Sequence, residues 1–366
     1  MQALFARKIG TCYKQGRMKK VRISQQQIAR DLGLSQTLVS MVLNGRRQGV
    51  SEESYRQIWN HARRIGYRPK GMDPALFRGP SDTATVGFIL RSGLKLYSQS
   101  PFFGHVQHGL HEFLATNGVS LVFLGTEDHL EVKTLKELYG DREVFRGLVV
   151  FGEVKRPFLH SLKQLEPRVV AISAQYPGLC HSVVYNEEQA AELLVDHLAN
   201  LGHREFAWLG GSRGMQRAGR RYEATMSALR LRNLTIQPKF TLEMDEAERI
   251  EGGEAAERIL KAASKRHRPT AWICFNGTMA RGATNCLLQQ GIKIPEEVSI
   301  ATFDRTRLCE EENPTLTGAS AEPEELGRVA GEILLRSSGE AKEMFSDMVL
   351  ASELIPRAST GPCLVR

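Results

Sequence analysis

The sequence predicts an all-α helix-turn-helix headpiece joined to an α/β body of two lobes, each built on a parallel sheet. Two short apolar-periodic segments pivot on one glycine in "IARDLGLSQTLVSMVLNG", Ile28–Gly45. Beyond residue 84, short runs rich in Val, Ile and Leu alternate with amphipathic segments, as in parallel sheets covered by helices. We therefore expect a basic extension (1–20), the headpiece (21–68), a linker (69–83) and the body (84–366).

The headpiece is expected to be a three-helix bundle. Ser24 and Ser35 are placed to cap the first two helices, and Gly33 suits a corner that needs a positive φ. A third helix follows Ser51. At helical spacing, the apolar positions form one inward face on each helix. They are Ile28, Ala29 and Leu32; Leu38, Val39, Val42 and Leu43; and Tyr55, Ile58, Ala62 and Ile65.

The excess positive charge of the chain lies in this region. The whole sequence has 49 Lys and Arg against 41 Asp and Glu, a net charge of +8. Residues 1–80 hold 16 of the basic and 4 of the acidic residues, which gives +12 and leaves −4 for the remainder. A basic module on a mildly acidic body predicts a polyanionic partner, although charge alone leaves a solvated basic surface as an alternative.

The outward face of the second helix suits the major groove of double-stranded DNA. Its side chains are small or hydrogen-bonding, and none is acidic. Gln pairs with adenine through two hydrogen bonds, an apolar group contacts the thymine methyl, and Arg contacts phosphates. A plain bundle that binds protein is the alternative. The predicted DNA-contacting residues are Ser35, Gln36, Thr37, Ser40, Met41, Asn44, Arg46 and Arg47, with Arg63 and Arg64 as further phosphate contacts.

The headpiece sequence resembles the DNA-binding region of the lactose-repressor family of bacterial transcription regulators. The resemblance covers "ISQQQIARDLGLSQTLVSMVLNGRRQGVSEESYRQIWNHARRIGYRPK". Two departures concern the reading helix: Leu38 stands where Thr is usual, and Met41 where Arg is usual. Because Arg is the commonest guanine contact, we expect an operator preference that differs from the usual one. The matching positions are Ala29, Gly33, Ser35, Val39, Ser40, Leu43, Asn44, Ser51, Ile58, Gly66, Tyr67 and Pro69.

The same resemblance makes residues 69–83 a hinge helix that orders on DNA and inserts a leucine into the minor groove. Leu76 matches that leucine, and Asp73-Pro74 replaces the usual Ala-Arg before it. Asp as N-cap and Pro at the first helical position permit a short helix that begins there. A flexible tether with Leu76 packed on the body is the alternative. Residues Met1–Arg17 form an additional basic arm, and Met18 is an alternative natural start.

The body is predicted to place a ligand at the carboxyl ends of its strands, between two lobes. Predicted helices include "FGHVQHGLHEFLATNG", "RPFLHSLKQLE", "EEQAAELLVDHLANLG", a segment around Tyr222–Leu231 and "TMARGATNCLLQQG". Two successive sets of elements indicate two similar lobes. The predicted strands are Thr85–Leu90, Val119–Gly125, Gly147–Gly152, Arg168–Ser173, "EFAWLGG", "AWICF" and "VSIATFD".

The body also resembles the lactose-repressor family along almost its whole length. Landmarks include "SPFFGHVQHGL", "PTAWICFNGTMARGA", "IPEEVSIATFD" and "NPTLTGASAEPEELGRVAGEILL". The resemblance implies the fold of sugar-binding periplasmic proteins, and a homodimer that reads a pseudo-palindromic operator. It also implies a small-molecule effector, in this family a carbohydrate. Repression is the usual outcome, and activating or ligand-independent regulation remains an alternative.

Effector contacts are carried over from the family position by position. Phe103 matches an aromatic that stacks on the ligand, while Asn276 and Asp304 match hydrogen-bonding partners of sugar hydroxyls. A helix cap or loop anchor is the alternative role for both polar residues. The family's ligand-binding Arg falls on Ala218 here, so Arg217 or Arg221 is its expected substitute. Gly277 and Tyr185 stand where the family has Asp, which leaves a different ligand, or none, open.

Several classes of protein are disfavoured. No apolar run approaches the roughly 20 residues of a membrane span, and no signal peptide is evident. Six cysteines lie far apart, as expected for reduced thiols in a cytoplasmic protein. His105, His108 and His111 recur every three residues, but helical drift favours a solvated face over a metal site. With no nucleophile, phosphate-loop or metalloprotease motif, we expect no enzyme activity and no cofactor, and an exported solute-binding protein is the least favoured alternative.

Overall fold

The computed structural model describes residues 24–43, 50–64, 84–93, 102–130, 135, 145–264, 267–337 and 344–364. The chain divides into two compact units, Met1–Phe77 and Arg78–Arg366. The predicted extension (1–20) and the predicted linker (69–83) lie outside the described residues. So do four of the predicted DNA-contacting residues, namely Asn44, Arg46, Arg47 and Leu76.

The first unit contains the three predicted helices, α1 (Gln25–Leu32), α2 (Gln36–Leu43) and α3 (Glu52–Arg64). The hydroxyl of Ser24 accepts a hydrogen bond from Gln27 N at 3.2 Å, and that of Ser35 accepts one from Leu38 N at 3.2 Å. Gly33 between them has φ 65°, a left-handed conformation that costs glycine little. The predicted caps and corner are therefore confirmed.

The three helices share one apolar core. Ile28, Val39 and Ile58, one from each helix, are fully buried. Leu38 is half-buried and packs against this core, so the departure from Thr adds apolar contact. The buried members are Ile28, Ala29, Val39, Val42, Leu43, Ile58 and Ala62.

The second unit contains two six-stranded sheets. In the first sheet the order is β11-β5-β4-β3-β1-β2, and every described pairing is parallel. The second has the order β12-β10-β9-β8-β6-β7 and is parallel except for β12, which is antiparallel to β10. The strands are β1 (Thr85–Leu90), β2 (Ser120–Thr126), β3 (Phe145–Phe151), β4 (Val169–Ile172), β5 (His181–Tyr185), β6 (Phe206–Gly211), β7 (Thr241–Met244), β8 (Ala271–Cys274), β9 (Ser299–Thr302), β10 (Thr317–Ser320), β11 (Asp347–Leu350) and β12 (Glu353–Ile355).

Helices cover both sheets and complete two apolar-cored lobes. Strands β1 and β6 are buried along their whole length, which explains their near-continuous apolar sequences. The helices of the first lobe are α4 (Phe102–Thr116), α5 (Arg156–Leu165) and α11 (Pro323–Arg336). Those of the second are α6 (Glu187–Asn200), α7 (Gln216–Leu231), α8 (Arg249–Ala262), α9 (Gly277–Gln289) and α10 (Arg307–Glu311).

The lobes are interleaved along the chain, and the prediction of two successive sets is wrong in this respect. After β10 in the second lobe, the chain returns to the first lobe as α11 and β11, and then re-enters the second as β12. Helix α11 packs closely on α4 because glycine occupies the contact: a Cβ on Gly109 would lie 1.9 Å from Glu324 O. Because of this return, the chain passes from one lobe to the other three times, and the two lobes form one compact unit.

Candidate nucleic-acid interface and ligand cleft

Helix α2 presents an uncharged polar face. Gln36 and Thr37 are exposed, whereas Ser40 and Met41 on the next turn are half-buried. Buried Val39, Val42 and Leu43 occupy the opposite face, so the four outer residues share one side of the helix. Ser35 uses its hydroxyl as the cap of α2. This surface is free of acidic side chains that would repel phosphate.

A cleft lies between the two lobes, at the carboxyl ends of the parallel strands, as the sequence predicts. It encloses about 1040 Å³, including the solvent at its mouth. The first lobe contributes Arg91, Glu153 and Ser173, which follow β1, β3 and β4. The second lobe contributes the segments after β7, β8 and β9. These are Asp245–Glu248, Phe275 with Asn276, and Asp304.

Phe103 supplies an aromatic wall to the cleft. Its ring lies 6.0 Å from that of Phe151 with an interplanar angle of 19°, and it meets Phe102 edge-on at 5.1 Å. Both neighbours are buried, so the ring that lines the cleft is held from behind. An aromatic face held in this way suits the C–H face of a sugar.

Asn276 and Asp304 line the cleft and also hold its second wall together. Asn276 caps α9, because its Oδ1 accepts from Met279 N at 2.8 Å, and its Nδ2 donates to Ala247 O at 2.8 Å. Asp304 Oδ2 accepts from Gly277 N at 2.9 Å. The cap and the anchor that the sequence left as alternatives are therefore present. Because these hydrogen bonds already use polar atoms of Asn276 and Asp304, only the remaining hydrogen-bonding capacity of the two side chains is available to a ligand.

Arg217 lines the cleft and contacts both lobes. Its Nε donates to Glu187 Oε1 at 3.2 Å, and its Nη2 donates to Tyr185 Oη at 2.6 Å. Its guanidinium also lies 4.1 Å from the centre of the Phe102 ring, a cation–π contact. Tyr185 and Phe102 belong to the first lobe, so this cation bridges the lobes at the closed end of the cleft.

Arg221 lies behind the wall of the cleft, and this position corrects the prediction of a ligand contact. It is fully buried, with Nε donating to Glu187 Oε2 at 2.8 Å and Nη2 to Phe303 O at 3.3 Å. Its Nη1 donates to Phe275 O. Asp304 Oδ1 lies 3.8 Å from Nη2. Arg221 therefore supports the loops that carry Phe275 and Asp304.

Burial acts on the pKa of each charged group in this cluster. Burial acts to raise the pKa of the Glu187 carboxyl, whereas the charge and the hydrogen bond of Arg217 act to lower it. Burial lowers the pKa of Arg221 to about 9, against the opposing charge of Asp304. Loss of either charge would leave the other buried and uncompensated, a large cost in free energy.

Other hydrogen bonds cross directly between the lobes. Glu153 Oε2 accepts from Gln216 N at 2.8 Å, and Gln216 Oε1 accepts from Gln175 N at 3.1 Å. Arg220 donates to Gln175. The residue before α7, Met215, provides no side-chain cap, so a carboxylate of the opposite lobe takes that role. Lobe closure and the start of α7 are thus physically linked.

Sequence reasoning missed several residues of the cleft. Arg91, Glu153 and Ser173 each directly follow a predicted strand or end one, so strand ends were the available signal. The acidic segment Asp245–Glu248 follows β7, a strand that the sequence analysis did not predict. These residues carry most of the charge of the cleft.

Comparisons with known proteins find relatives both for part of the body and for most of the chain. The periplasmic binding protein-like domain family matches residues 195–360. The HTH-type transcriptional repressor PurR of Aliivibrio fischeri (strain ATCC 700601 / ES114) is 27% identical over 337 residues, 91% of this chain and 97% of that protein. PurR of Haemophilus influenzae (strain PittEE) is 27% identical over 342 residues, 92% and 98% of the two chains. Along most of its length the chain is therefore similar to bacterial HTH-type transcriptional repressors.

Solved structures share the fold of this chain. The Lac repressor dimer bound to operator and the anti-inducer ONPF matches with a TM-score of 0.63 and 18% identity, covering 93% of this chain and 99% of that one. The CelR–cellobiose complex, a transcriptional regulator, matches with a TM-score of 0.65 and 20% identity, covering 92% and 100%. Both matches extend over most of this chain.

Two further findings concern membranes and metals. Within the described ranges, no helix is long and apolar enough to cross a membrane. Nor does the described part of the chain bring together three or more His, Cys, Asp or Glu in a group that could hold a metal ion. Two of the three histidines of α4 have carboxylate partners, since His105 contacts Glu324 and His108 lies 3.4 Å from Glu112.

Proposed function

We propose that this protein is a member of the lactose-repressor family and acts as a sequence-specific DNA-binding transcriptional repressor. Its operator affinity is modulated by a small molecule that binds between the lobes. The observation that carries the proposal is the pairing, in one chain, of a capped helix-turn-helix with a two-lobed cleft. Relatives named as repressors align over both parts.

DNA recognition would begin with α2 in the major groove. Gln36 would pair with adenine, and Thr37 or Met41 would meet a thymine methyl group. Ser35 and Ser40 would add hydrogen bonds at the same face, and Arg46 and Arg47 would neutralise phosphates. Asn44 would extend the reading surface, and Leu76 would enter the minor groove. A homodimer would place two such helices on a pseudo-palindromic operator.

Ligand recognition would use the cleft. Phe103 would stack on a sugar ring, and Asn276, Asp304 and Arg217 would hydrogen-bond its hydroxyls. A ligand that contacts both lobes favours the closed arrangement by its differential affinity for it. Because operator binding and ligand binding are then linked, the ligand changes the affinity for DNA, and DNA changes the affinity for the ligand.

The experiment that tests the proposal is selection of bound sequences from random duplex DNA by the full-length protein. A pseudo-palindromic consensus is expected, since two headpieces would read two half-sites. If no sequence is enriched, the proposed regulator function is wrong. Transcription from a promoter that carries the consensus, measured in vitro with and without the protein, separates repression from activation.

A further inference from the structure

The charge of the cleft is strongly unbalanced. Glu153 on one wall and Asp245, Glu246 and Glu248 on the other join Asp304, which makes five carboxylates among the lining residues. Two cations, Arg91 and Arg217, line the same space. Asp245 and Glu246 are exposed.

Both cations already have partners within the protein. Arg217 donates to Glu187 and Tyr185. Arg91 Nη1 donates to Ser92 O at 3.1 Å. Burial and Arg217 lower the pKa of Arg91, whereas the charges of Glu153, Glu248 and Glu246 raise it. Because five carboxylates and two arginines line the cleft, it offers a ligand chiefly acceptors.

Ser173 provides an independent indication of a polar ligand. It lines the cleft at the end of β4, is 9% exposed, and has φ 62°, an uncommon conformation for a side-chain-bearing residue. Within the described ranges its hydroxyl has no hydrogen-bond partner. A buried hydroxyl that lacks a partner is costly, and a ligand hydroxyl or amine would satisfy it.

We propose that the effector is a polyol that carries a protonated amine, that is, an amino sugar. This inference rests on the proposed ligand-modulated function and names the ligand class of the same cleft. The ammonium group would lie among Glu153, Glu246 and Glu248, and hydroxyls would reach Ser173, Asn276 and Asp304. Phe103 would face the ring and its attached cation. Sugar phosphates, sugar acids and nucleotides would be repelled by the same carboxylates.

Calorimetric titration of the full-length protein tests the ligand class. The probes are glucosamine, galactosamine and mannosamine, each compared with its neutral parent hexose and with the hexose 6-phosphate. At least one amine is expected to bind about tenfold more tightly than its parent, and the 6-phosphates not at all. Raising the salt concentration from about 0.05 M to about 0.5 M should reduce the ratio of the affinity for the amine to the affinity for its parent hexose. Absence of binding by all three amines, or tighter binding of a parent or phosphate than of every amine, rejects the proposal.

Substitutions test which side chains produce the preference for the amine. Glu246→Gln combined with Glu248→Gln should remove most of the preference for the amine, because two of the three carboxylates placed around the ammonium lose their charge without loss of shape. Ser173→Ala should weaken the binding of the amine and the binding of its parent hexose to a similar extent. Glu254→Gln, on an exposed face of α8 outside the cleft, is the matched control and should change neither. An unchanged preference in the double variant rejects the electrostatic assignment.

The proposed regulator function and the proposed ligand class can each be rejected without rejecting the other. DNA selection without ligand reports the regulator, and titration without DNA reports the ligand class. A palindromic consensus together with a preference for neutral hexoses would reject the amino sugar and retain the regulator.

Discussion

Glu153 in the first lobe accepts a hydrogen bond from Gln216 N in the second, at 2.8 Å, and so caps a helix across the ligand cleft. Removal of this carboxylate is expected to loosen the lobes. Glu153→Ala should lower the free energy of unfolding by about 1 kcal/mol, the usual value of an N-cap. Small-angle scattering should show a larger radius of gyration.

Glu153→Gln keeps an acceptor oxygen and loses the charge, so it should have a smaller effect than Glu153→Ala. Glu254→Ala on the exposed face of α8 is the control and should leave the free energy of unfolding and the radius of gyration unchanged. Equal behaviour of Glu153→Ala and Glu254→Ala would show that the cross-lobe cap contributes nothing.

The buried pair of Arg221 and Glu187 predicts a large loss of stability. Arg221→Met removes one partner of a buried ion pair and one donor from the carbonyl oxygens of Phe275 and Phe303. The expected loss in urea unfolding is about 3–5 kcal/mol. Arg307→Met, which removes a highly exposed pair with Glu311, should have no detectable effect.

A double variant distinguishes unpaired charge from lost packing. Glu187→Gln combined with Arg221→Met removes both charges, so its loss should be smaller than the sum of the two single losses. Strict additivity would contradict the description of these residues as one coupled cluster.

The contact between α4 and α11 predicts opposite effects for two glycines of one helix. Gly109→Ala would place a Cβ 1.9 Å from Glu324 O, so the helices must separate, at a cost of about 1–3 kcal/mol. Gly104→Ala meets nothing within 4 Å, and should be neutral or stabilising by up to about 1 kcal/mol. Thermal unfolding measures both. Similar losses in the two variants would contradict the close packing.

A buried histidine predicts loss of stability in acid. His203 Nδ1 lies 2.9 Å from Thr270 Oγ1, and its Nε2 lies 3.1 Å from Gly361 O. Because a carbonyl oxygen only accepts, Nε2 carries the proton of the neutral ring and Nδ1 accepts from the hydroxyl. Burial is the main cause of a lowered pKa for His203, and the carbonyl of Gly361 opposes it.

The sign of the pH effect follows from proton uptake. Below the ordinary pKa of 6.5, the unfolded chain binds a proton that folded His203 does not. The stability contributed by this residue is therefore complete above that pH and is lost as the pH falls, by at most about 1.4 kcal/mol per pH unit. His203→Gln should flatten the fall between about pH 7.5 and 5.5. His267→Gln, at an exposed position, should leave the slope unchanged, and the same slope in all three proteins would contradict the prediction.

Local sequence signals predicted the headpiece and the strands whose apolar runs are long. The return of α11 and β11 to the first lobe was not predicted, since it depends on contacts between segments far apart in sequence. Strand β11 is short, and its first three residues are exposed, so it has no apolar run that would reveal it. Phe103, Asn276, Asp304 and Arg217 reach the cleft as expected.

Arg221 shows the limit of such reasoning at the site. Arg217 and Arg221 are four residues apart and share one face of α7, so spacing alone does not reveal which is deeper. Burial separates them: Arg221 is fully enclosed, whereas the Arg217 side chain is 17% exposed.

The measurement that tests the central claim most directly is binding of the selected duplex by Gln36→Ala/Thr37→Ala/Met41→Ala, compared with a scrambled duplex. These side chains lie on the outer face of α2, so the headpiece should stay folded, as circular dichroism would verify. We expect discrimination to fall by tenfold or more, since one good base contact contributes about 1–3 kcal/mol, while Gln57→Ala on α3 should discriminate as the parent does. Undiminished discrimination by the triple variant would contradict the assignment of α2 as the reading helix.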